Sequence, residues 1–387
     1  RSLKNMDWDV SVLTAMPNYP DRKIYADYKN KIFHKEFIDD IPIFRTWIFI
    51  SKSEGIVPRL INYFSFSIMS FLYGMYIIKN DFDLIICESP PIFLGISALL
   101  LKYIKKVNLL FNVSDLWPRT IEELGLIKNR FLLNITKKLE ESIYINSDLI
   151  TGQTKGIVMD IRKRMKSMPI QLYRNGFDFN NIHIEKNSTW RRDNGYKDGD
   201  VILMYGGIMG HSQGLDVILD AAKILEKYAS IKFLLVGDGA KKECLIQKSK
   251  QLKLSNIKIL DSVNSDKYNL ILNSVDIGIV HLLDLKIFEG AIPSKIFELM
   301  AYKIPIIMGI NGESKELFYD EGKCVIYFQP EKASSLAKAI LNYFDDKKKL
   351  NNISKKGYAF CRDKFDRDII NYNFAQFIRN NKTKMKY

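Results

Sequence analysis

The stretch VILMYGGIMGHSQGLDVILDAAKIL, residues Val201–Leu225, decides the fold. It begins with an apolar run at Val201–Tyr205, continues through a glycine-rich turn, and ends in a segment whose apolar residues recur at helical spacing. A buried strand, a glycine-rich turn and an amphipathic helix in this order form one unit of a parallel α/β sheet. We therefore expect an α/β fold that is built from such units.

Apolar runs of strand length alternate with helical stretches along the rest of the chain. In the first half we predict strands at Val10–Leu13, Thr46–Ile50, Leu84–Cys87, Asn108–Val113 and Leu149–Thr151. In the second half we predict them at Val201–Tyr205, Lys232–Val236, Ile257–Leu260, Ile277–Val280, Ile304–Ile307 and Cys324–Tyr327. The turn signal Asn175-Gly176, followed by polar sequence, separates the two sets.

This pattern predicts two Rossmann-like domains, each with a doubly wound parallel sheet, that face a cleft. We place the N-terminal domain at residues 1–185 and the C-terminal domain at residues 186–365. Residues 366–387 are expected to form a helix that returns to the N-terminal domain. Ligands of such sheets bind at the carboxyl ends of the strands, so the cleft is the expected site.

The composition excludes several classes of protein. With 387 residues, 47% of them hydrophobic, the chain can bury two cores, and its glycine and proline usage argues against a disordered or fibrous protein. The cysteines lie far apart, which indicates reduced thiols in a cytoplasmic protein rather than a disulfide framework. The four histidines are isolated, so we expect no metal site.

The net charge of +14 is compatible with three kinds of partner: nucleic acid, an anionic membrane surface, or a phosphate-bearing substrate. A lysine-rich solvated surface would give the same number. The sequence has no recognised nucleic-acid-binding motif and no clustered basic stripe. A basic nucleic-acid-binding protein is therefore the weakest functional alternative.

The segment Leu60–Ile78 is 19 residues long and contains no charge. That length permits a membrane span, but serines, an asparagine and a glycine interrupt the segment. Its residues Ile61, Phe64, Ile68, Phe71, Leu72 and Met75 recur at helical spacing and predict one broad apolar face. This face either packs on the sheet or lies in a membrane interface, where Lys52, Lys102, Lys105 and Lys106 would add attraction to anionic lipid.

The strongest local signal is GAIPSKIFELMAYKIPII, residues Gly290–Ile307. Pro293 suits the first position of a helix, whose free N–H groups favour an anion. Lys295 adds a cation in the first turn, and Glu298, one turn further along, is suited to accept hydrogen bonds from vicinal ribose hydroxyls. This order predicts a nucleoside diphosphate site, although a surface helix with solvated Lys and Glu would show the same residues.

Two glycine-rich turns support this interpretation. The first contains Gly206 and Gly207 and the second contains Gly237, and each follows a predicted strand. Glycine lets the backbone approach a pyrophosphate closely, although such turns also serve tight packing. The stretch Leu260–Val263 would then form a wall of a base pocket.

Together and in this order, these pieces resemble glycosyltransferase family 4, whose fold is the GT-B pair of Rossmann-like domains. The resemblance covers nearly the whole chain and is most specific at Asn175–Asp178, Gly206–Leu215, Val236–Gly239 and Ile292–Pro305. The stretches LTAMPNYP (Leu13–Pro20) and SDLWPRTIEELGLIKN (Ser114–Asn129) look like the subgroup that builds bacterial surface polysaccharides. That subgroup includes enzymes similar to N-acetyl-L-fucosamine transferases.

The resemblance implies retaining transfer of a sugar from a UDP-sugar, without a metal ion or other cofactor, to a lipid-linked saccharide acceptor of capsule or O-antigen biosynthesis. Such an enzyme would be cytoplasmic and peripherally bound to the anionic inner face of the plasma membrane. By the family pattern Glu298 holds the ribose and Val263 lies beside the base. The loop beside the donor sugar and diphosphate comprises Gly290, Ala291, Ile292, Pro293 and Ser294.

Four departures from the family pattern stand out. The glycine-rich loop has His211 and Gln213 where many relatives carry an Arg and a Lys. The usual first glutamate is Gly290, the catalytic-side histidine of many relatives is replaced by Ser114-Asp115, and the expected first strand would precede Arg1. We therefore expect Lys295 to be the principal diphosphate ligand, with His211 secondary, and a natural chain that is longer at its N-terminus.

Asp115, Lys295 and Glu298 are the predicted catalytic residues. Lys295 would stabilise the charge that grows on the departing diphosphate. Asp115 follows a predicted strand and would orient or deprotonate the acceptor hydroxyl, unless it only caps a helix or turn. Glu88 and Arg119 are weaker candidates for that task. A nucleotide-sugar 2-epimerase, which has a similar two-domain fold, is the main alternative enzyme.

Overall fold

A computed structural model describes the chain except residues 19–21, 52–54, 78–81, 120–121, 123–128, 181, 183 and 186–187. It divides into two compact units. The N-terminal unit comprises Arg1–Arg174 together with Asp368–Tyr387, and the C-terminal unit comprises Asn175–Arg367. The division after Arg174 lies eleven residues before the expected boundary at 185, and the second division, after Arg367, lies two residues beyond the one expected at 365.

The elements are numbered in chain order. The strands are β1 Val12–Ala15, β2 Phe33–Ile38, β3 Ile41–Thr46, β4 Leu84–Ser89, β5 Asn108–Val113, β6 Leu149–Gly152, β7 Ile170–Leu172, β8 Val201–Gly206, β9 Ile231–Val236, β10 Ile257–Leu260, β11 Ile277–His281, β12 Ile306–Gly309 and β13 Ile326–Tyr327. The α-helices are α1 Ile56–Ile77, α2 Leu94–Lys105, α3 Arg130–Asn146, α4 Lys155–Arg164, α5 Ser188–Asp193, α6 Asp216–Ile224, α7 Lys242–Gln251, α8 Ser265–Leu272, α9 Lys295–Ala301, α10 Ala333–Leu341, α11 Lys347–Phe365 and α12 Arg367–Asn380.

The C-terminal unit contains a six-stranded parallel sheet in the order β10-β9-β8-β11-β12-β13. Its six strands correspond to the six predicted in this half, with shifts of up to two residues at β12 and β13. The sheet is flanked by a core that includes Leu203, Phe233 and Ile277 from the strands and Ile218 and Leu336 from helices α6 and α10. This is the doubly wound arrangement that the alternating sequence predicted.

The N-terminal unit contains two sheets rather than one. A four-stranded parallel sheet has the order β4-β5-β6-β7, and a three-stranded sheet has the order β1-β3-β2. The strand expected at Thr46–Ile50 is wrong, because β3 ends at Thr46. It pairs with β2 through a two-residue turn at Asp39 and Asp40, whose φ angles of 52° and 58° are those of a hairpin turn.

The C-terminal helix α12 belongs to the N-terminal unit for a packing reason. Its Phe374, Phe377 and Ile378 are buried against Leu110 of β5 and Leu149 of β6. These contacts close one face of the four-stranded sheet with residues from the far end of the chain. The order of the chain along the two units is therefore N-terminal, C-terminal and N-terminal again.

Helix α1 exposes a row of large apolar side chains on its outer face and buries two serines, a glycine and Tyr73. Ser67 and Ser70 are buried, and the Ser67 hydroxyl donates to the Phe93 carbonyl over 2.7 Å. A Cβ at Gly74 would lie 2.7 Å from Leu101 Cδ1 of α2, so the two helices approach closely there. The outer face exposes Val57, Ile61, Phe64, Ile68, Leu72 and Tyr76. We call these six residues the α1 stripe.

Two sequence expectations about this region are corrected. Phe71 and Met75 do not join the exposed face, because they pack on the buried Leu101 and Val107. Lys102 is not a surface charge, because its ammonium pairs with the Asp148 carboxylate over 2.7 Å and both side chains are buried. Lys52 and Ile78 lie outside the described residues. By length and composition, the part of α1 from Val57 to Ile77 is the one described helix that could cross a membrane.

Candidate active site

The two glycine-rich turns of the C-terminal unit pack directly against each other. Gly207 follows β8 with φ 125°, and its N–H donates to the Val236 carbonyl over 2.9 Å. A Cβ at Gly237 would lie 1.9 Å from the Gly207 carbonyl oxygen, which no side chain could tolerate. Gly237 is therefore required for close backbone packing, which brings the carboxyl ends of β8 and β9 together.

Lys295, the first residue of α9, contacts the first of these turns, at the end of β8. Its ammonium is 3.8 Å from the centre of the Tyr205 ring and would be 3.3 Å from a Cβ at Gly207. Tyr205 is fully buried, and its hydroxyl donates to the Ile208 carbonyl over 2.6 Å, so the ring forms a fixed floor. Burial lowers the pKa of Lys295 to about 7, and the nearby Glu298 carboxylate opposes that shift.

Glu298 is held by a residue that the sequence analysis missed. The Tyr268 hydroxyl, from helix α8, donates a hydrogen bond to the Glu298 carboxylate. Burial raises the pKa of Glu298, while this hydrogen bond and the charge of Lys295 lower it. Burial and the Glu298 charge raise the pKa of Tyr268, which therefore stays a donor at neutral pH. Lys295, Glu298 and Tyr268, with Gly206 and Gly207, form what we call the Lys295 cluster.

The loop before α9 is fixed by backbone contacts with the segment after β12. The Glu289 carbonyl accepts from the Glu313 N–H over 2.6 Å, and the Ala291 carbonyl accepts from the Ser314 hydroxyl over 2.6 Å. Gly290, Ile292 and Pro293 lie between these two anchors and Lys295, and all three are half-buried. Ser294 is exposed and precedes α9, which is only seven residues long. Lys295, rather than the helix end, is therefore the main positive group at this point.

The glycine-rich loop uses its two unusual residues differently. The Gln213 side chain accepts from the Gly210 N–H over 3.1 Å, so it supports the loop rather than supplying a cation. His211 is exposed on the same loop. The buried His281 holds the loop from β11, because its Nδ1–H donates to the Gln213 carbonyl over 2.7 Å and its Nε2 accepts from the Glu331 N–H over 3.0 Å. Burial lowers the pKa of His281.

Val263, the predicted base-pocket residue, follows the end of β10 and precedes Tyr268 of the Lys295 cluster by five residues. Val263 is half-buried. It precedes Asn264, whose side chain caps α8 by accepting from the Lys267 N–H over 3.0 Å. Since α8 also carries Tyr268, the connection from β10 to α8 places Val263 and the Lys295 cluster at the same edge of the sheet.

In the N-terminal unit, polar side chains converge on Glu88 at the carboxyl end of β4. Glu88, Asn112 and Thr151 are in register on adjacent strands. The Thr151 hydroxyl donates to Asn112 over 2.6 Å, the Asn112 amide donates to Glu88 over 2.6 Å, and Ser114 donates to the other Glu88 oxygen. Asn112 and Thr151 are buried, whereas Glu88 is exposed, so an accessible carboxylate is held by fixed donors.

Asp115 is half-buried and follows Ser114 directly. Its carbonyl accepts from the Trp117 N–H over 3.0 Å. Glu88 lies near the carboxyl end of β4 and Asp115 follows the carboxyl end of the adjacent parallel strand β5. Glu88 is the more exposed of the two. Arg119 pairs with Asp160 of α4 over 2.9 Å. Part of the motif Ser114–Asn129 lies outside the described residues.

The described residues contain no group of three or more His, Cys, Asp or Glu side chains that could hold a metal ion. The four cysteines are free, and Cys87, Cys324 and Cys361 are buried while Cys244 is exposed. The site groups in both units are therefore carboxylates, hydroxyls, amides and one ammonium. Such groups can bind and orient a polyhydroxylated, phosphate-bearing ligand.

Glu88 was a weaker candidate in the sequence; of the residues that the sequence analysis missed, Asn112 had a usable signal and Tyr268 had none. Both Glu88 and Asn112 stand at the carboxyl ends of predicted parallel strands, where ligands bind. Tyr268 lies in an ordinary amphipathic helix, and only the packing of α8 brings its hydroxyl to Glu298. Tyr205 is a strand residue whose burial follows from the strand, but not its contact with Lys295.

Comparisons with known proteins bear on the family and on the fold. Residues 186–360 match the family model described as Glycosyl transferases group 1. The chain is 23% identical over 302 residues to the WcaI glycosyl transferase of Escherichia coli (strain K12), whose name assigns it to colanic acid biosynthesis; the match covers 76% of this chain and 73% of that protein.

Solved structures with the same fold cover nearly the whole chain. Sucrose-phosphate synthase from Thermosynechococcus elongatus superimposes with a TM-score of 0.74 at 14% identity, covering 98% of this chain and 90% of that one. HepE from Anabaena in complex with UDP-glucose superimposes with a TM-score of 0.67 at 15% identity, covering 96% and 99%. These likenesses show the GT-B fold. Residues 186–360 thus match the glycosyl transferases group 1 family, and the chain is a glycosyltransferase.

Proposed function

We propose that this glycosyltransferase uses a UDP-sugar as its donor and binds it at the Lys295 cluster. The observation that carries the proposal is the Lys295–Glu298 pair beside Gly206 and Gly207 at the end of β8. A cation at a glycine turn suits a diphosphate, and a carboxylate one helical turn away suits ribose hydroxyls. The complexes of HepE with UDP and UDP-glucose support the same class of donor.

Catalysis in this proposal is retaining and needs no metal ion. As the bond between the anomeric carbon and the UDP oxygen breaks, negative charge grows on the diphosphate, and Lys295 meets that charge from a fixed position over the Tyr205 ring. The acceptor oxygen forms its bond to the anomeric carbon on the face that UDP leaves, and its proton passes to the departing diphosphate. The chain's own contribution is orientation of the donor and electrostatic stabilisation.

On the acceptor side we propose that Glu88, with Asp115 beside it, accepts a hydrogen bond from the acceptor hydroxyl. Two donor chains, Thr151 through Asn112 and Gln153 through Ser114, end on Glu88 and hold its carboxylate in one orientation. A fixed and accessible carboxylate can position a sugar hydroxyl for attack. The acceptor is proposed to be a lipid-linked saccharide of a bacterial surface polysaccharide such as a capsule or O-antigen.

The donor sugar is proposed to be an N-acetylated hexosamine such as N-acetyl-L-fucosamine. Support comes from the resemblance at Leu13–Pro20 and Ser114–Asn129 and from the polysaccharide pathway in the name of the WcaI relative. A thermal-shift screen of UDP-sugars tests this directly. The largest stabilisation by a UDP-N-acetylhexosamine is expected, and equal stabilisation by UDP-glucose would contradict the assignment.

We propose that the α1 stripe lies in the interface of an anionic membrane. Six large apolar side chains are exposed along one face of α1 and the helix is hydrogen-bonded to α2 on the other. On α2, Leu100, Tyr103 and Ile104 are exposed as well. The net charge of +14 and the exposed Arg59 and Lys106 complement anionic lipid. A membrane-bound enzyme would meet its lipid-linked acceptor at this surface.

The decisive experiment for the donor is UDP binding by the variant Glu298→Ala. Loss of a charge-assisted hydrogen bond should weaken UDP binding by about 10- to 100-fold while the melting temperature stays nearly unchanged. The exposed Glu243→Ala on α7 is the matched control and should bind UDP normally. Wild-type affinity in Glu298→Ala would remove Glu298 from the donor site.

A second experiment separates the transferase from an epimerase. A transferase releases UDP from its UDP-sugar in proportion to added acceptor lipid, whereas a nucleotide-sugar 2-epimerase converts the same UDP-sugar with no acceptor present. We expect UDP release that requires a lipid extract containing polyprenyl-linked saccharides. Conversion of the sugar in the absence of that extract would favour the epimerase.

A further inference from the structure

We propose that Tyr268 is a positioning residue that fixes the Glu298 carboxylate toward the ribose, so that the donor site selects ribonucleotides over deoxyribonucleotides. The inference rests on the proposed UDP-sugar donor and adds a determinant of specificity to that site. Tyr268 acts through Glu298 and does not itself need to contact the nucleotide. Its hydroxyl donates to the Glu298 carboxylate.

The chemistry of a glutamate explains why such a partner is needed. A Glu side chain has three rotatable bonds, so a carboxylate with no fixed partner samples many orientations. One donor from Tyr268 restricts those orientations but leaves acceptor positions, because a carboxylate has about four lone-pair sites. Two vicinal ribose hydroxyls can then donate to an oxygen pair that is already in place. UDP, which has both hydroxyls, should therefore bind more tightly than its deoxy analogues, which lack one of them.

The position of Tyr268 is set by contacts on both sides. A Cβ at Gly206 would lie 2.2 Å from the Tyr268 hydroxyl oxygen, so the absence of a side chain at Gly206 makes the room that the hydroxyl occupies. The Tyr302 hydroxyl donates to the Asn269 side chain over 2.8 Å and so links the end of α9 to α8. The two helices that carry Tyr268 and Glu298 are therefore held together at neighbouring positions.

The electrostatics of the cluster point the same way. Burial penalises the charged form of Glu298, and the two groups that oppose this penalty are Lys295 and the Tyr268 hydroxyl. When the charge of Lys295 is taken up by the diphosphate of the donor, the Tyr268 hydrogen bond remains on the carboxylate. Tyr268 thus keeps Glu298 an acceptor, as recognition of two ribose hydroxyls requires.

The test compares UDP with 2′-deoxy-UDP and 3′-deoxy-UDP by calorimetry. For the wild type we expect the deoxy analogues to bind about 10-fold or more weakly, which is the usual effect of one hydrogen bond to a charged group. In Tyr268→Phe this ratio should fall below about 3-fold, chiefly through weaker binding of UDP. Tyr228→Phe, remote from the cluster and packed on Phe344, is the matched control and should keep the wild-type ratio.

A double-mutant cycle excludes a role for Tyr268 in packing alone. In the Glu298→Gln background the further change Tyr268→Phe should leave the ratio between UDP and its deoxy analogues unchanged, because the carboxylate that Tyr268 orients is gone. If Tyr268 served only packing, Tyr268→Phe would weaken the binding of UDP and of its deoxy analogues equally. The ratio of these affinities would then stay at its wild-type value. If Tyr268→Phe fails to fold, Gly206→Ala displaces the Tyr268 hydroxyl and should abolish the same discrimination.

The outcomes separate this inference from the function on which it rests. A wild type that does not bind UDP overturns the proposed donor. A wild type that binds UDP and its deoxy analogues equally, or a Tyr268→Phe variant that keeps the full discrimination, overturns the role of Tyr268 while leaving UDP as the donor.

Discussion

Proton uptake by Lys295 should make UDP binding depend on pH. Burial lowers the pKa of Lys295 to about 7, so about half of the molecules carry a neutral Lys295 at pH 7 before UDP binds. A bound diphosphate brings negative charge to the ammonium and restores the charged form. Since only the charged form pairs with the diphosphate, UDP affinity should fall as pH rises above 7.

The magnitude follows from the fraction of protonated Lys295. That fraction is about 1/2 at pH 7, 1/11 at pH 8 and 1/100 at pH 9, so UDP affinity should fall about 5-fold from pH 7 to 8 and about 50-fold from pH 7 to 9. Over this range the UDP phosphate is already ionised, because its second pKa is about 6. Binding should take up about 0.5 proton at pH 7 and about 0.9 proton at pH 8.

Calorimetry in buffers of different ionisation enthalpy measures both quantities at once. Lys295→Arg is the matched control, since arginine stays charged across this range and its UDP affinity should vary little between pH 7 and 9. Lys295→Met should bind UDP weakly at every pH and should lower the catalytic rate more than it weakens uridine binding. The reasoning would be refuted if the UDP affinity of the wild type changed less than 2-fold between pH 7 and 9. It would also be refuted if the UDP affinity of Lys295→Arg fell with pH as steeply as that of the wild type.

Three further predictions concern the membrane, stability and metal. Replacing Ile61, Ile68 and Leu72 of the α1 stripe by Ser should abolish binding to anionic vesicles in sedimentation while leaving the circular dichroism unchanged; loss of folding instead would assign the stripe to packing. Because the pKa of His281 is lowered, its contribution to stability is present above pH 6.5 and is lost as pH falls below that value. The melting temperature should therefore drop below pH 6.5 less steeply in His281→Asn than in the wild type; equal slopes would contradict this. Sugar transfer should survive excess EDTA, and activity lost to EDTA but restored by Mn²⁺ would show that a metal handles the phosphate charge.

The sequence predicted the fold class because that property depends on local periodicity. The runs at Asn108–Val113 and Ile257–Leu260 are strands over the predicted ranges. The strand predicted at Thr46–Ile50 was wrong because an apolar run looks the same in the sequence whether or not a partner strand is available. The partner strands β1 and β2 pair with Ile41–Thr46, so the strand lies there instead. The hairpin turn at Asp39 and Asp40 contains no glycine, so the sequence lacks the usual signal for such a turn.

The candidate site was likewise visible only in part. Lys295 and Glu298 are three residues apart on one helix, so their proximity follows from helical spacing alone. The need for glycine at Gly237 is different, because it depends on the carbonyl of Gly207, a residue thirty positions earlier. Spacing within one element can be read from a sequence, whereas a contact between elements depends on how they pack.

By itself, then, the sequence determined the parallel α/β architecture, the spacing of Lys295 and Glu298 along one helix, and the apolar period of α1. Only the tertiary structure decided that the Tyr268 hydroxyl meets Glu298, that Lys102 is buried on Asp148, and that the α1 stripe is the exposed face of α1. The physical reason is the same in each case. Periodicity fixes which residues share a face, but the direction of that face depends on close packing between distant segments, as where Gly74 and Ser67 let α1 approach α2.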